Sequence, residues 1–416
     1  MKKRILLVAG LIAGMGIANA QQKTQVEFWT FYLSPTFDNF IKGMISDYEA
    51  KNPNITIKWS DHQMTIQQDL ISAINIGSPP DVVNLNIDWT TDAAQNSFLL
   101  PLDKVTSLSK LKLQFWQNPL NNFVVNGHPY GFPWYASLNA GVLSYNSEIL
   151  AKAGISKLPK TMDELNAMSQ TIKDKTGAYG YVPTVKDPAG ATFLGVFFDE
   201  NLPITDNGKA VFNTQAHADV LQKYVDMYRK GYIPEDAMRR EAFTISMELY
   251  NQGKLAFIVG GPQALTRVRD TNKDLYAKTK ITTAPVAKSG KQTGTGMDLV
   301  IPAMSKHAKE AARFAAFITN NANQMKFAKI VPIIPTSKGA ESDPFFKTTS
   351  KDPIAMATAM VGKQGRFIDP GFRAPANSDE IYKHFNDDIE AAFLGKMTAK
   401  AALDDAVTFW NTNLKK

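Results

Sequence analysis

The stretch NGHPYGFPWYASLNAGVLSYN, residues 126–146, decides how we expect this chain to fold. Pro129, Gly131 and Pro133 alternate with other residues in this stretch. Each proline restricts the backbone angle φ, and the glycine allows a wider range of backbone conformations. Trp134 and Tyr135 follow at once, and residues 140–145 then form a short apolar run that is typical of a strand. A strand inside a core has no need of two prolines and a Trp–Tyr pair before it. We therefore interpret the stretch as a crossover between two lobes, in which Trp134 and Tyr135 face a ligand.

The length of the chain supports two lobes. A chain of 416 residues is too long for one ordinary hydrophobic core, and its 44% hydrophobic and 20% charged residues are typical of a globular protein.

The net charge of +7 is spread over the sequence without basic runs, so we expect no nucleic-acid partner. We expect a monomer.

The first twenty residues predict export. Residues 2–4 are basic, residues 5–17 are apolar and uncharged, and residues 18–20 form a small-x-small cleavage site. The apolar run is too short for a membrane anchor. We expect cleavage after Ala20, which removes three cations and lowers the net charge of +7 to +4. The chain has no cysteine, so disulfides, thiol catalysis and a lipid-modified cysteine are excluded, and we expect a periplasmic protein without a lipid anchor.

Strand and helix patterns alternate over the first part of the mature chain, which predicts an α/β protein with a parallel, doubly wound sheet. Ligands bind such sheets beyond the carboxyl ends of the strands. This rule points to residues 32–34, 60–64 and 88–90, which contain Tyr32 and the pair Asp88–Trp89. Trp89 follows a strand end among polar neighbours, so we expect it to contact a ligand. The alternative is a tryptophan that packs on the end of the sheet.

Two later segments contain glycines that allow close backbone approach to a ligand. Gly261 lies in a tight turn before a helix that begins near Gln263. Residues 294–301, GTGMDLVI, begin like a dinucleotide-binding fingerprint, but Leu299 occupies the last glycine position and the strand follows the glycines instead of preceding them. These departures exclude a dinucleotide site.

Motifs for catalysis and metal binding are absent from the sequence. The five histidines are isolated, and there is neither a GxSxG nucleophile turn nor a GxxxxGK[ST] phosphate loop. The carboxylate pairs at 387–388 and 404–405 lie in helical patterns, where we expect solvated faces. We therefore expect no catalytic residue, metal site or cofactor.

Several short motifs together indicate a family. In order and spacing, the chain resembles the extracellular solute-binding proteins of carbohydrate ABC transporters, the group that includes maltose-binding protein. The motifs are GSPPDVV at 77–83 with Trp89, LPLD at 100–103, NG with PYGFP at 126–133, LSYN at 143–146, AGI at 153–155, PKTMDEL at 159–165, GKLAF at 253–257 and SKH at 305–307. Met162 departs from the tryptophan usual in the family, and Gln263 departs from the aromatic residue that close sugar binders often have after the Gly-Pro turn.

The resemblance implies a periplasmic binding protein fold, in which two lobes, each a doubly wound sheet flanked by helices, close on a ligand around three crossovers. The implied parts are an N-terminal lobe of 21–134 plus 285–331, a C-terminal lobe of 135–284 plus 332–416, and crossovers near 134–139, 283–286 and 331–336. It also implies a receptor, not an enzyme, that delivers a sugar to the permease of an ABC importer.

A sugar has apolar C–H faces and a rim of hydroxyl groups, so the resemblance also implies a set of ligand contacts. The expected stacking residues are Trp89, Trp134 and Tyr135; the hydrogen-bonding residues are Asp88, Asn139, Gln263 and Asp298, with Tyr32 and Arg373 as weaker candidates; and Gly261 and Gly296 offer backbone groups. We expect Trp89→Ala and Trp134→Ala each to abolish most of a ligand-induced thermal shift and to leave the unliganded melting temperature nearly unchanged.

Three alternatives remain open at this point. A polyol phosphate such as a glycerophosphodiester would need a cation in the cleft, which Arg366 or Arg373 could supply. A secreted glycosidase would need two carboxyl groups across the cleft and would turn over oligosaccharides. A purely structural surface protein would show no thermal shift with any solute.

Overall fold

The computed structural model describes residues 23–62, 65–138, 141–185, 193–290, 292–331, 333–364, 366, 368–369, 372 and 379–414. The predicted signal peptide, Asn139 and Arg373 lie outside these residues. Among the described helices, none has both the length and the apolar character needed to cross a membrane.

The described residues form strands, α-helices and short 3-10 turns. The strands are β1 (Thr24–Phe31), β2 (Ile55–His62), β3 (Val82–Asn86), β4 (Val124–Val125), β5 (His128–Pro129), β6 (Gly131–Leu138), β7 (Val142–Asn146), β8 (Thr205–Asp206), β9 (Lys209–Ala210), β10 (Phe257–Gly260), β11 (Thr279–Thr283), β12 (Gln292–Val300), β13 (Ile334–Pro335) and β14 (Ile368–Asp369). The α-helices are α1 (Asp38–Lys51), α2 (Ile66–Asn75), α3 (Ile87–Gln95), α4 (Leu108–Gln114), α5 (Gln117–Asn121), α6 (Ser147–Ala153), α7 (Met162–Thr176), α8 (Phe193–Asp199), α9 (Gln215–Arg229), α10 (Ala242–Asn251), α11 (Pro262–Thr271), α12 (Lys273–Lys278), α13 (Ala308–Ile318), α14 (Asn321–Ala328), α15 (Pro353–Gly362), α16 (Asp379–Phe393) and α17 (Ala399–Asn413). The 3-10 turns are Leu102–Lys104, Glu235–Met238, Ala340–Ser342 and Pro344–Phe346.

The larger sheet has the strand order β13-β6-β12-β3-β1-β2, with β14 also paired to β12. As predicted, β1 is parallel to both β2 and β3. The chain moves from β1 to β2 on one side and then returns past β1 to β3, so α1 and α2 cover opposite faces of the sheet. Such a reversal of strand order creates a crevice at the carboxyl ends of β1 and β3.

The smaller sheet has the order β10-β7-β11. Here β7 is antiparallel to both neighbours, whereas a doubly wound sheet has parallel strands. Strands that are covered on both faces are apolar in either orientation, so the sequence pattern does not reveal their direction. A separate hydrophobic core, formed mainly by residues of α8–α11, α16 and α17, completes this lobe.

Three connections join the two sheets, and the contacts on either side of them lead us to propose lobe boundaries slightly later than the predicted ones. The boundary at 135 falls inside β6, which continues to Leu138 in the larger sheet. The boundary at 285 is early, because the Ser289 N–H donates a hydrogen bond of 3.0 Å to the carbonyl of Asp199 in the smaller lobe. The boundary at 332 is also early, because β13 pairs with β6. We propose lobes of 23–138 plus 292–347 and of 142–290 plus 353–414.

The first and third connections meet in one apolar cluster, which we call the hinge cluster. It contains residues from the ends of β6, β7 and β13 and from α11 and α15: Ala136, Leu138, Val142, Leu265, Ile334, Ala357 and Val361. Gly141 lies beside it, and a Cβ at that position would lie 2.8 Å from Val361 Cγ1. The joint between the lobes is therefore closely packed.

Candidate functional site

The crevice at the carboxyl ends of β1 and β3 carries aromatic side chains. Tyr32 is 63% exposed and has a positive φ of 56°, which turns the chain away from β1. The ring of Trp89 is half-buried and meets Phe31 edge-on, with 5.0 Å between ring centroids. Tyr32 and Trp89, two of the predicted ligand-binding residues, therefore lie at the same crevice. The ring of Trp89 is packed on one side and partly exposed to solvent.

Asp88 lies in the first turn of α3, the helix that leads away from this crevice. The helix begins where the Asn86 side chain accepts a hydrogen bond of 2.8 Å from the Trp89 N–H. A carboxylate in the first turn is favoured by the helix dipole. Asp88 is exposed, and the spacing i, i+3, i+7 places it on one face of α3 with Thr91 and Gln95.

That face of α3 borders a cavity of about 310 Å³ between the two lobes. Residues of the larger lobe on its wall are Thr91, Gln95, Val124, Val125 and Asn126. Residues on the opposite wall are Thr205, Gly208, Phe372, Trp410 and Leu414. The cavity therefore offers amide and hydroxyl groups of the larger lobe, and the Thr205 hydroxyl and the Phe372 ring of the smaller lobe, to one solute, whereas the ring of Trp410 is fully buried.

A second groove, of about 380 Å³, lies on the smaller lobe between α7 and α9. Its walls consist of polar and charged side chains and one methionine: Gln170, Asp219, Gln222, Lys223, Asp226, Met227 and Lys230. Because both walls belong to one lobe, a ligand there would not couple binding to lobe closure. We therefore take the inter-lobe cavity as the candidate functional site, although its volume is smaller.

The structure contradicts the predicted stacking role of Trp134. This side chain is 0% exposed in the core of the larger lobe, and its ring stacks on Phe327 at 5.7 Å between centroids. The pairing of β6 with β12 is irregular here, since Met297 faces Tyr135 and Asp298 faces Pro133, which leaves Trp134 as the extra residue of a bulge. Both faces of the indole are covered, so no ligand can stack on it.

Tyr135 also packs against Phe327, edge-on at 5.4 Å, but it is only half-buried. Burial raises the pKa of the Tyr135 phenol, so the group is a neutral donor at physiological pH. Tyr135 remains a proposed ligand contact.

The structure also contradicts ligand roles for Asp298 and Gly296. Asp298 is 0% exposed, and Thr90 Oγ1 lies 3.0 and 3.1 Å from its two carboxylate oxygens. A Cβ at Gly131 would collide with this carboxylate, which explains the glycine. Gly296 is buried opposite Ala136 in the larger sheet, where a Cβ would already lie 3.5 Å from Ile87 and Phe123. Both residues therefore belong to the interior of one lobe.

Asp298 leads to a prediction about pH. Burial raises its pKa well above the ordinary value of 3.8, more than the hydrogen bond from Thr90 lowers it. The folded state then binds a proton more tightly than the unfolded state, so the contribution of Asp298 to stability is present below pH 3.8 and is lost as pH rises through the folded pKa. We expect Asp298→Asn, which cannot ionise, to gain stability relative to the wild type as pH increases. Urea unfolding at several pH values measures this difference, and a constant difference would show that Asp298 does not titrate on unfolding.

Gly261 and Gln263 lie at the start of α11. Gly261 is buried at the N-terminus of the helix, and the exposed Gln263 folds back over it. Neither residue is on the described wall of the inter-lobe cavity, so their ligand roles stay predictions.

Sequence reasoning missed most of the cavity wall. Thr91 and Gln95 could have been predicted, because they follow Asp88 at helical spacing and therefore lie on the same face of α3. Asn126 and Trp410 carried no such signal, since they come from a turn and from a distant helix that only the tertiary fold brings together.

Comparison with known proteins gives a consistent result. Residues 43–357 match the family model described as bacterial extracellular solute-binding protein. The chain is 28% identical to the diacetylchitobiose binding protein of Streptomyces coelicolor, covering 88% of this chain and 84% of that protein. It is 23% identical to the galactooligosaccharide-binding protein of Bacillus subtilis, covering 88% and 85%. The fold is similar to that of maltose-bound MalE3 from T. maritima, with a TM-score of 0.70, 23% identity and coverage of 94% and 99%.

Proposed function

The chain belongs to the bacterial extracellular solute-binding protein family, and from this premise we propose that it captures a sugar between its lobes for an ABC importer. The ligand is a mono- or oligosaccharide, and the closed, loaded protein delivers it to the membrane permease. Members of this family are receptors and not enzymes, which argues against the glycosidase alternative.

The observation that carries the proposal is the cavity with walls from both lobes. A ligand shifts a conformational equilibrium only by its difference in affinity for the two states. A solute that reaches both walls makes all its contacts only when the lobes are together, so it favours the closed form. At about 310 Å³ the cavity is at the lower end of the range for small-molecule sites, roughly 300–1,000 Å³.

The chemistry of the wall suits a neutral sugar. Thr91, Gln95, Asn126 and Thr205 offer hydroxyl and amide groups for the sugar hydroxyls, and the Phe372 ring offers an apolar face. An unpaired buried polar group costs about 1–3 kcal/mol, so these hydrogen bonds supply discrimination between sugars. The names of the two relatives also specify carbohydrate ligands, which supports the same ligand class.

We also propose that the aromatic crevice extends this site. Asp88 would accept hydrogen bonds from hydroxyl groups, while Trp89, Tyr135 and Tyr32 would stack on the sugar. Gln263 and the backbone of Gly261 would contact it from the smaller lobe. Asn139 and Arg373 stay in the proposal on the strength of the sequence alone.

A polyol phosphate fits the described wall less well. The described residues that border the cavity include neither lysine nor arginine, and the adjacent Asp88 carries a negative charge. Among these residues a phosphate would meet a carboxylate and no cation, which is unfavourable, so a polyol phosphate would depend on Arg373 or Arg366. The described wall also contains no pair of carboxyl groups, which a glycosidase would require.

We propose that the protein acts in the periplasm as a monomer, with no nucleic-acid partner. The basic start, apolar run and small residues of 1–20 support export with cleavage after Ala20, and the absence of cysteine supports a protein without a lipid anchor.

A ligand screen tests the proposal. We expect one or more neutral oligosaccharides to raise the melting temperature, because a ligand at a hundred times its Kd stabilises the native state by about 2.7 kcal/mol. The screen should include diacetylchitobiose, galacto-oligosaccharides and maltodextrins, and chromatography should show the sugars intact afterwards. A shift with glycerol 3-phosphate alone would favour the polyol phosphate, and sugar cleavage would favour a glycosidase. Absence of a shift with every solute would overturn the proposal.

A further inference from the structure

Three side chains with metal-binding atoms meet between α16 and α17, on the smaller lobe. His384 and Asp388 lie one turn apart on α16, and Asp405 projects from α17. His384 Nε2 lies 2.9 Å from one carboxylate oxygen of Asp405 and 3.4 Å from one of Asp388. All three candidate ligand atoms lie within 4.8 Å of one another.

The burial of Asp388 differs from the sequence expectation and points to a missing partner. We predicted that the carboxylates at 387–388 and 404–405 are solvated, but Asp388 is only 7% exposed. Its Oδ2, the oxygen that faces His384, is buried and makes no hydrogen bond. A buried carboxylate oxygen normally has a hydrogen-bond donor or a cation beside it.

The histidine is held in a fixed orientation. Its ring stacks on Phe409 of α17, with 3.9 Å between centroids and 10° between the ring planes. This contact aims Nε2 at the gap between the two carboxylates, so little side-chain freedom would be lost on binding an ion. His384 and Asp405 are 31% and 54% exposed at their side chains, which leaves the cluster open to solvent.

We propose that His384, Asp388 and Asp405 form a binding site for a divalent transition-metal ion such as Zn²⁺. Imidazole and carboxylate groups bind zinc at roughly 2.0–2.2 Å, which places ligands of a tetrahedral ion about 3.4 Å apart. The observed separations of 2.9 and 3.4 Å from His384 Nε2 are close to that geometry, and the two carboxylates, which lie within 4.8 Å of each other, would move together around the ion. Water would fill the fourth position.

This site goes beyond the sugar-binding function. The ion would replace the direct contact between His384 Nε2 and Asp405, and it would be a partner for Asp388 Oδ2, which makes no hydrogen bond. It would also cross-link α16 to α17, which together close the core of the smaller lobe. Binding to the native state alone would therefore stabilise the fold.

Calorimetric titration of the full chain with zinc chloride tests the site. The protein should carry no histidine tag and should first be treated with a chelator. We expect one ion per chain and a higher melting temperature in the presence of Zn²⁺. His384→Gln and Asp388→Asn should each weaken the binding at least tenfold and remove the thermal shift.

The matched control is His128→Gln. His128 is also half-exposed and lies 2.6 Å from a carboxylate, that of Asp103, but the described residues place no third metal ligand beside it. This variant should bind Zn²⁺ like the wild type. Asp405→Asn, at an exposed position, provides a second ligand variant if Asp388→Asn does not fold. Absence of saturable binding in the wild type, or unchanged affinity in His384→Gln, would overturn the proposal.

Discussion

Replacing Trp134 by alanine should destabilise the unliganded protein by about 3–5 kcal/mol, the usual loss when a buried tryptophan is truncated. The side chain is 0% exposed and packs on Phe327, so its removal leaves a cavity in the core of the larger lobe. At this size the loss corresponds to a decrease in melting temperature on the order of 10 °C. Differential scanning calorimetry without ligand measures the effect.

Trp134→Phe separates packing from binding. The Trp134 Nε1 has no hydrogen-bond partner among the described residues, so phenylalanine loses volume but no hydrogen bond. We expect a smaller decrease in melting temperature and an unchanged sugar affinity. If Trp134→Ala instead left the melting temperature unchanged and abolished binding, the ring would have to face the ligand.

Replacing Trp89 by alanine should mainly reduce ligand affinity. The ring is half-buried: it contacts Phe31 in a T-shaped arrangement and packs against the core cluster that contains Val83 and Leu85, which leaves part of its surface exposed. Aromatic residues at the centre of a binding site often contribute 2 kcal/mol or more, so we expect affinity to fall about 30-fold. The unliganded stability should decrease less than in Trp134→Ala. Calorimetric titration with the best sugar from the screen measures the change.

Trp59→Ala is the matched control for this variant. Trp59 is also half-buried in the larger lobe and packs against a core cluster, but it lies in β2, away from the carboxyl ends of β1 and β3, and donates a hydrogen bond of 2.8 Å to Thr30. Its replacement should reduce stability and leave affinity unchanged. Equal losses of affinity in the two variants would show that Trp89 acts only through the stability of the lobe.

The order of strands and helices at the start of the mature chain could be predicted, because it follows from the local pattern of apolar and polar residues. The alternation from β1 to β3 and the carboxyl-end rule placed Tyr32, Asp88 and Trp89 at one crevice, where the structure has them. The antiparallel direction of β7 and the extent of β6 were not predictable, because they depend on pairing with strands far along the chain. The extent of β6 and its pairing with β13 are the reasons for placing the first and third proposed boundaries a few residues later.

The errors at the candidate site have a similar origin. Trp134 and Tyr135 are adjacent aromatic residues, so the sequence does not distinguish between them. A bulge in β6, opposite Met297 and Asp298 of β12, is the reason that Trp134 is buried in the core. Asp298 follows two glycines in a sequence that suggests a ligand loop, but its partner Thr90 comes from α3, which is distant in sequence. Periodicity cannot detect a bulge or a partner of this kind.

The position of β12 has a consequence for how the chain is made. This strand lies in the middle of the larger sheet, between β6 and β3, although residues 292–300 follow most of the smaller lobe in sequence. A chain that emerges from its N-terminus therefore displays the unpaired edge of β3 throughout the emergence of residues 87–291. Unpaired edges of apolar strands are sites of aggregation. The nascent chain is thus most vulnerable during this interval, which ends when β12 arrives.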